Sequence, residues 1–327
     1  MSLSLSIRPR RNRQSPAIRD LVRETDIGPG HLIYPLFIQE GVEIEAIASM
    51  PGCQRWSIEG VVKEAGEAHA LGIPAVVLFP RIAEDLKTPG AEECHNPEGL
   101  VPRAIQALKA AHPTLMVITD VALDPYNSDG HDGLVSGDGR ILNDETVKVL
   151  CDQALCHARA GADIIAPSDM MDGRVAALRE ALDDEGFSGV SIMSYAAKYA
   201  SAYYGPFRGA LESAPKSGDK KTYQMDPANA REALREAMLD EAEGADILMV
   251  KPAGPYLDII SHLRGNTTLP IAAYQVSGEY LMIKSAAAAG WIDEEKVVYE
   301  SLIGIRRAGA DMILTYFAKD FAKRARG

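Results

Sequence analysis

Two lysines end runs of apolar residues. Lys198 follows VSIMSYAA (190–197), and Lys251 follows DILMV (246–250). An ammonium group there loses water, and desolvation disfavours the charged form. A second positive charge nearby acts in the same direction. Both effects yield a neutral amine, the form that attacks a carbonyl carbon to make an imine. A single lysine of this kind is ordinarily salt-bridged, or snorkels its ammonium back to water. Two lysines on adjacent strands, each depressing the other's pKa, make Schiff-base chemistry the sharper reading. Polar residues also stand where other runs stop: Asp120 and Asp124, Ser168 and Asp169, Ser277, and Tyr316.

These ends must be held together by a scaffold. Eight short apolar runs occur: HLIYPLFIQ (31–39), AVVLFP (75–80), LMVITDVAL (115–123), DIIAPSDM (163–170), VSIMSYAA (190–197), DILMVKP (246–252), PIAAYQVS (270–277) and DMILTYFA (311–318). Segments with helical spacing lie between them, such as GVVKEAGEAHALG (60–72) and NAREALREAMLDEAEG (229–244). Near-continuous apolar strands belong to parallel sheets buried on both faces. Eight strands alternating with helices predict an α/β fold, a closed (β/α)8 TIM barrel with active groups at the strand ends. A doubly wound sheet would want a glycine-rich phosphate loop after the first strand, but residues 38–52 read IQEGVEIEAIASMPG. Gly72, Gly161, Gly244 and Gly309 each close a helix before the next strand. Three of these joints share one pattern, an Ala or Glu followed by Gly-Ala-Asp, at 160–163, 243–246 and 308–311. The division is an arm over 1–30 and a barrel over 31–327. A long loop at about 199–228, rich in Tyr, Gly, Ser and Lys, reads as a lid on the catalytic face.

Composition narrows the partners. The 327 residues are 46% apolar and carry a net charge of −12. Such a chain repels nucleic acid and anionic membrane. No window approaches the ~18–20 apolar residues of a membrane span. The four cysteines, Cys53, Cys94, Cys151 and Cys156, form no CxxC pair and read as reduced structural thiols. Arg8, Arg10, Arg11, Arg13 and Arg19 precede the first acid, Asp20. This start has transit-peptide character. It is short, however, and runs directly into PAIRDLVRET, so it reads as an arm docking on another subunit of a cytoplasmic protein.

Longer motifs carry a resemblance. MSYAAKYASAYYGPFR (193–208) and DILMVKPAGPYLDII (246–260) resemble the two lysine motifs of porphobilinogen synthases. TDVALDPYNSDGHDG (119–133), APSDMMDGR (166–174), YQMDPAN (223–229), YQVSGEY (274–280), LTYFAKD (314–320) and the start RRNRQSPAIRDLVRET (10–25) are similar to that family too. The resemblance implies condensation of two 5-aminolaevulinate molecules with loss of two waters, on the route to tetrapyrroles. It implies that Lys251 holds the first-bound substrate and Lys198 the second. Asp120 and Ser168 would be the supporting acid and hydroxyl. Arg208 and Lys221 match the binders of one substrate carboxylate, and Ser277 and Tyr316 those of the other. From the residues alone, Arg208 and Lys221 are ordinary solvated loop charges. The family's octamers, built from arm-swapped dimers, imply a homo-oligomer here.

The resemblance also bears on metals. Some family members bind zinc through three cysteines where this chain has Ala122, Asp124 and Asp132. Hard oxygen ligands replace soft thiolates, so zinc is not expected. Asp124 and Asp132 remain candidates for a hard active-site cation. Glu236 matches the family's allosteric magnesium ligand, with Asp240 one turn on as an outer-shell group. Mg2+ and no organic cofactor are the expectation. Two other readings stand beside it. A class I Schiff-base aldolase needs one such lysine and usually a phosphate cradle, which is not evident after YQVSGEY. A non-catalytic barrel scaffold would have little use for either lysine.

Overall fold

The computed structural model describes residues 5–325. Eight parallel strands form its centre: β1 (Leu32–Gln39), β2 (Ala75–Arg81), β3 (Met116–Val121), β4 (Ile164–Pro167), β5 (Ser191–Lys198), β6 (Ile247–Lys251), β7 (Ile271–Gln275) and β8 (Met312–Thr315). Each pairs with the next. The sheet closes where Leu32 and Ile33 pair with Ile313 and Leu314. All eight expected runs are strands, and helices lie between them. Five of the strands, β3, β4, β6, β7 and β8, stop short of their apolar runs, and Asp124, Ser168 and Ser277 already belong to the loops and helices of the catalytic face.

The repeated joints have a physical role beyond turning the chain. Gly161, Gly244 and Gly309 have φ of 104°, 102° and 124°, where a side chain is strained. The aspartate two residues later then bridges back to the preceding strand. The Asp163 carboxylate accepts from the Val117 N–H at 2.7 Å, and the Asp163 N–H donates to the Val117 carbonyl at 3.0 Å. Asp246 makes the same reciprocal pair with Ile192, and Asp311 with Ile271. Strands β3–β4, β5–β6 and β7–β8 are thus pinned in register at the end opposite the catalytic face. Lys109 adds an ion pair to Asp163 at 2.9 Å, and Arg264 pairs with Asp311.

Two segments stand apart. Ahead of β1 lie a 3-10 turn, Pro9–Arg13, and a short helix, Pro16–Leu21, capped by the Ser15 hydroxyl. Neither contains a buried residue, and Ile7 and Leu21 are each 80% exposed. Between β5 and helix Arg231–Ala242 runs the long loop, which includes a helix, Gly205–Leu211. Among the described residues no helix is long and apolar enough to cross a membrane.

The joint predicts a graded effect on stability. Asp163→Ala deletes the acceptor for Val117 and the partner of Lys109, and costs about 1–3 kcal/mol. Asp163→Asn keeps an acceptor and costs less. Thermal melting should rank parent above Asn above Ala, with unchanged KM. Equal midpoints for parent and Ala would disprove the clamp.

Candidate active site

β5 and β6 are neighbours, and their last residues, Lys251 and Lys198, pair in register. Both side chains are buried at the mouth of the barrel. Their surroundings differ. The Lys198 ammonium donates to Asp132 Oδ2 at 2.9 Å and to the carbonyl of Ser168. No hydrogen bond among the described residues reaches Lys251 Nζ. Instead four rings surround it, with centroids at 4.7 Å (Tyr274), 5.0 Å (Tyr195), and 5.2 Å (Tyr204 and Phe207). Burial, followed by the charge of Lys198, pushes the Lys251 amine down to about 7. Asp120, Asp124 and Asp132 oppose the shift without cancelling it.

The carboxylates divide in the same manner. Asp132 is buried, yet Lys198 and Lys220 hold it below the usual carboxylate range. Lys198 donates to one oxygen and Lys220 to the other. Asp124 accepts from the Ser213 hydroxyl at 2.9 Å and lies 3.5 Å from Lys220 Nζ. Asp120 accepts from Ser168 Oγ at 3.0 Å through one oxygen, while its other oxygen is buried without a partner. Burial raises Asp120 to about 6, against the opposing pull of Lys251 and Lys198. Asp120, Asp124, Asp132, Ser168, Lys198, Lys251 and Arg208 line one pocket. The barrel therefore brings together a near-neutral amine, a carboxyl group able to exchange a proton near pH 6, and a fixed ion pair. Such a set can form and hydrolyse imines.

The long loop covers this pocket. Its helix is fastened by Arg55, which donates to the carbonyls of Ala210 (2.7 Å) and Gly209 (3.0 Å), and by Ser49 to that of Pro206 (2.9 Å). Arg208 lines the pocket, and no hydrogen bond among the described residues occupies its guanidinium. Lys221 is not where the motif match put it. Its side chain is 74% exposed, beside Asp219, whereas Lys220 is 8% exposed and paired to Asp132 and Asp124. The two buried aspartates draw in the first lysine of the pair, and the loop then turns the second outward. Ser277 Oγ accepts from the Phe207 N–H at 3.0 Å, so it is engaged by the helix of the long loop. Tyr316 OH meets Tyr274 OH at 2.7 Å, one ring away from Lys251. Reading the sequence missed Lys220, Arg55, the ring cage, and Gln224, which lines the pocket and donates to Asp132 Oδ2 at 3.5 Å. The aromatic density of SYAAKYASAYYGPF was the available signal for the cage.

The residues offered for metals differ in fit. No group of three or more His, Cys, Asp or Glu among the described residues is arranged to hold an ion. Asp124 and Asp132 are committed to Lys220 and Lys198, so a cation there would have to displace ammonium groups. Glu236 is half-buried in a second pocket with Glu232 and Asp172. Burial, then the charges of Asp240, Asp172 and Glu232, raise its pKa. Arg174 opposes the shift, and Arg140 and Lys221 line the same pocket as the three carboxylates, which leaves one negative charge in surplus for a hard, mostly hydrated cation. Asp240 is not free to assist, since it is buried against Arg174 at 2.9 Å and accepts from Ser194.

Comparison with known proteins agrees with this geometry. Residues 6–324 match the family model described as delta-aminolevulinic acid dehydratase. The chloroplastic delta-aminolevulinic acid dehydratase of Glycine max is 62% identical over 324 residues, covering 98% of this chain and 78% of its own. Enzyme 1 of Arabidopsis thaliana is 63% identical over 318 residues, 97% of this chain and 74% of its own. A crystal structure of the Toxoplasma gondii ME49 enzyme, in complex with the reaction product porphobilinogen, superposes with a TM-score of 0.98. It is 55% identical and covers 99% of this chain and 92% of that one. The expectation of a cytoplasmic protein is overturned: the plant relatives are named chloroplastic, which points to a plastid instead. The aldolase and inert-scaffold alternatives fall with the same matches, and the chain belongs to the delta-aminolevulinic acid dehydratase family, the porphobilinogen synthases.

Proposed function

We propose that this pocket condenses two molecules of 5-aminolaevulinate to porphobilinogen, with imines carried by Lys251 and Lys198. The observation that supports it most is the paired position of these lysines in unlike settings. Lys251, near-neutral in its ring cage, attacks the ketone of the first substrate. Lys198, held by Asp132, takes the second. Each imine releases one water, which accounts for the two waters lost. A carbon–carbon bond then joins the substrates, and one substrate amine closes the ring as a carbon–nitrogen bond. Both lysines leave as free amines, and a last deprotonation gives the pyrrole. Asp120, with an oxygen free of partners and a raised pKa, moves the protons of imine formation, oriented by Ser168.

The substrate carboxylates need cations in an acidic protein. Arg208 offers a planar fork and Lys220 a point charge for one of them. Ser277 and Tyr316 supply hydroxyls for the other, once Ser277 releases the lid backbone. We assign magnesium, mostly hydrated, to Glu236, where it would act from outside the reaction as an activator. The exposed apolar residues of the arm, Ile7 and Leu21, support its docking on another subunit, in an octamer like the family's.

Three outcomes test this reading. Borohydride trapping with 5-aminolaevulinate, mapped by peptide mass, should label Lys251 and Lys198. Because the Lys251 pKa is lowered, its free amine is scarce below pH 7 and predominates above it. The Lys251 trapping rate should climb about tenfold from pH 6 to pH 8 and then level off. A rate still climbing at pH 10 would sink the neutral amine, and labelling of neither lysine would sink the reaction. Lys220→Met should raise KM at least about tenfold, the worth of a charged hydrogen bond. Lys221→Met should leave KM within about twofold; the reverse pattern would restore Lys221 as the binder. Magnesium should raise the thermal midpoint of the EDTA-treated protein but not that of Glu236→Gln. Recovery of activity with zinc alone would contradict the magnesium assignment.

A further inference from the structure

Glu279 is the third residue of helix Ser277–Ala288, and its carboxylate is buried with no cation against it. One oxygen accepts from the Val276 N–H at 2.8 Å, the backward reach of a capping box. That contact alone would make Glu279 an ordinary helix cap. The other two contacts leave the helix. Oε1 accepts from the Gly254 N–H at 2.7 Å and Oε2 from the Ala253 N–H at 3.4 Å. Ala253 and Gly254 follow Lys251 by two and three residues. One carboxylate therefore ties the turn leaving β6 to the turn leaving β7.

The surroundings are built for this contact. A Cβ at Gly254 would stand 2.6 Å from Glu279 Oε1, so glycine is what lets the loop approach. A Cβ at Gly278 would stand 2.5 Å from the carbonyl of Tyr203, so the same helix start is pressed against the long loop. The Lys251 carbonyl is held as well, by the Tyr199 N–H at 3.0 Å and the Tyr204 hydroxyl at 3.2 Å. Lys251 Nζ itself has no hydrogen bond to fix it. Its place is set by the backbone it hangs from and by the rings around it.

We propose that Glu279 is a positioning residue for the Lys251 imine, locking the turn after Lys251 to the helix that carries Ser277. The spacing between the attacking amine and the hydroxyl that receives the substrate carboxylate is then fixed by one side chain. This rests on the Schiff-base assignment to Lys251. Glutamine at 279 cannot reproduce the lock. Its amide offers one acceptor oxygen, and its NH2 would face a backbone N–H.

The test is the rate of borohydride-trapped adduct at Lys251 per folded molecule, with 5-aminolaevulinate, in parent and Glu279→Gln. The variant should trap at Lys251 at least roughly tenfold more slowly, as a small misplacement of a reacting group does. Its KM should rise more than its kcat falls. A Lys251 rate within about twofold of parent would overturn the proposal. So would a decline that only tracks the folded fraction in a melt. Should the glutamine variant not fold, Gly254→Ala pushes the carboxylate off the loop but leaves the Val276 cap, and the same slowing is expected. Absence of any Lys251 adduct in the parent would instead defeat the Schiff-base assignment, and this proposal with it.

Discussion

The burial of charge at the mouth of the barrel is the constraint that the rest of the site answers to. Asp120, Asp124, Asp132, Lys198, Lys220 and Lys251 meet there, largely out of water. A buried charge without a partner costs several kcal/mol, so each group must be paired or give up its charge. Asp132 takes the first course by accepting from two lysines, and those lysines hold it ionised. Lys251 takes the second. With rings on all sides and Lys198 near, its ammonium form is disfavoured by roughly 5 kcal/mol relative to water. Cation–π attraction to the rings opposes this without cancelling it, so a large share of the amine is neutral near pH 7. The same arrangement that strips one lysine of its proton secures the other in an ion pair.

That balance needs groups from distant parts of the chain held to within an ångström. The closed sheet supplies Lys198 and Lys251 from adjacent strand ends, which cannot slip without breaking the register pinned at the opposite face by Asp163, Asp246 and Asp311. Arg208 and Lys220, the cations proposed for a substrate carboxylate, come instead from the long loop. This division has a reason. A cation on a strand would be fixed beside the lysines and compete with the substrate, whereas one on a loop can cover the substrate after it enters. In the structure the loop lies over the site, with Lys220 drawn onto Asp132 and Asp124 and Ser277 engaged by the Phe207 N–H.

The strands and their ends were legible in the sequence because they obey local rules. An apolar run closed by a polar residue states its own burial, and the Gly-Ala-Asp joints mark three of the helix-to-strand passages. The loop follows no such rule. Lys220 and Lys221 are adjacent, identical in type, and outside any period that would say which faces inward. Only the aspartates of the loop after β3, some ninety residues earlier in the chain, decide it, and that pairing is invisible in the order of residues. Asp240 shows the same limit: one turn from Glu236 it looked like an outer-shell group, but Arg174, far away in sequence, already holds it. Glu279 caps its own helix, yet two of its three contacts belong to another strand's loop.

The aspartates standing where thiolates bind zinc in some relatives can be understood through the same balance. Thiolates at Asp124 and Asp132 would be soft ligands and would gather a soft or borderline ion. Carboxylates at these places serve as counter-charges instead. A divalent cation bound to Asp132 would have to expel the ammonium groups of both Lys198 and Lys220. Lys198 would then be buried beside a metal ion as well as beside Lys251, with added positive charge and no added anion to compensate. Carboxylate chemistry here therefore works against metal at the reaction centre, because Asp132 is already the anion on which Lys198 depends. A cation could act more cheaply where negative charge is in surplus, and that is the pocket of Glu236, Glu232 and Asp172.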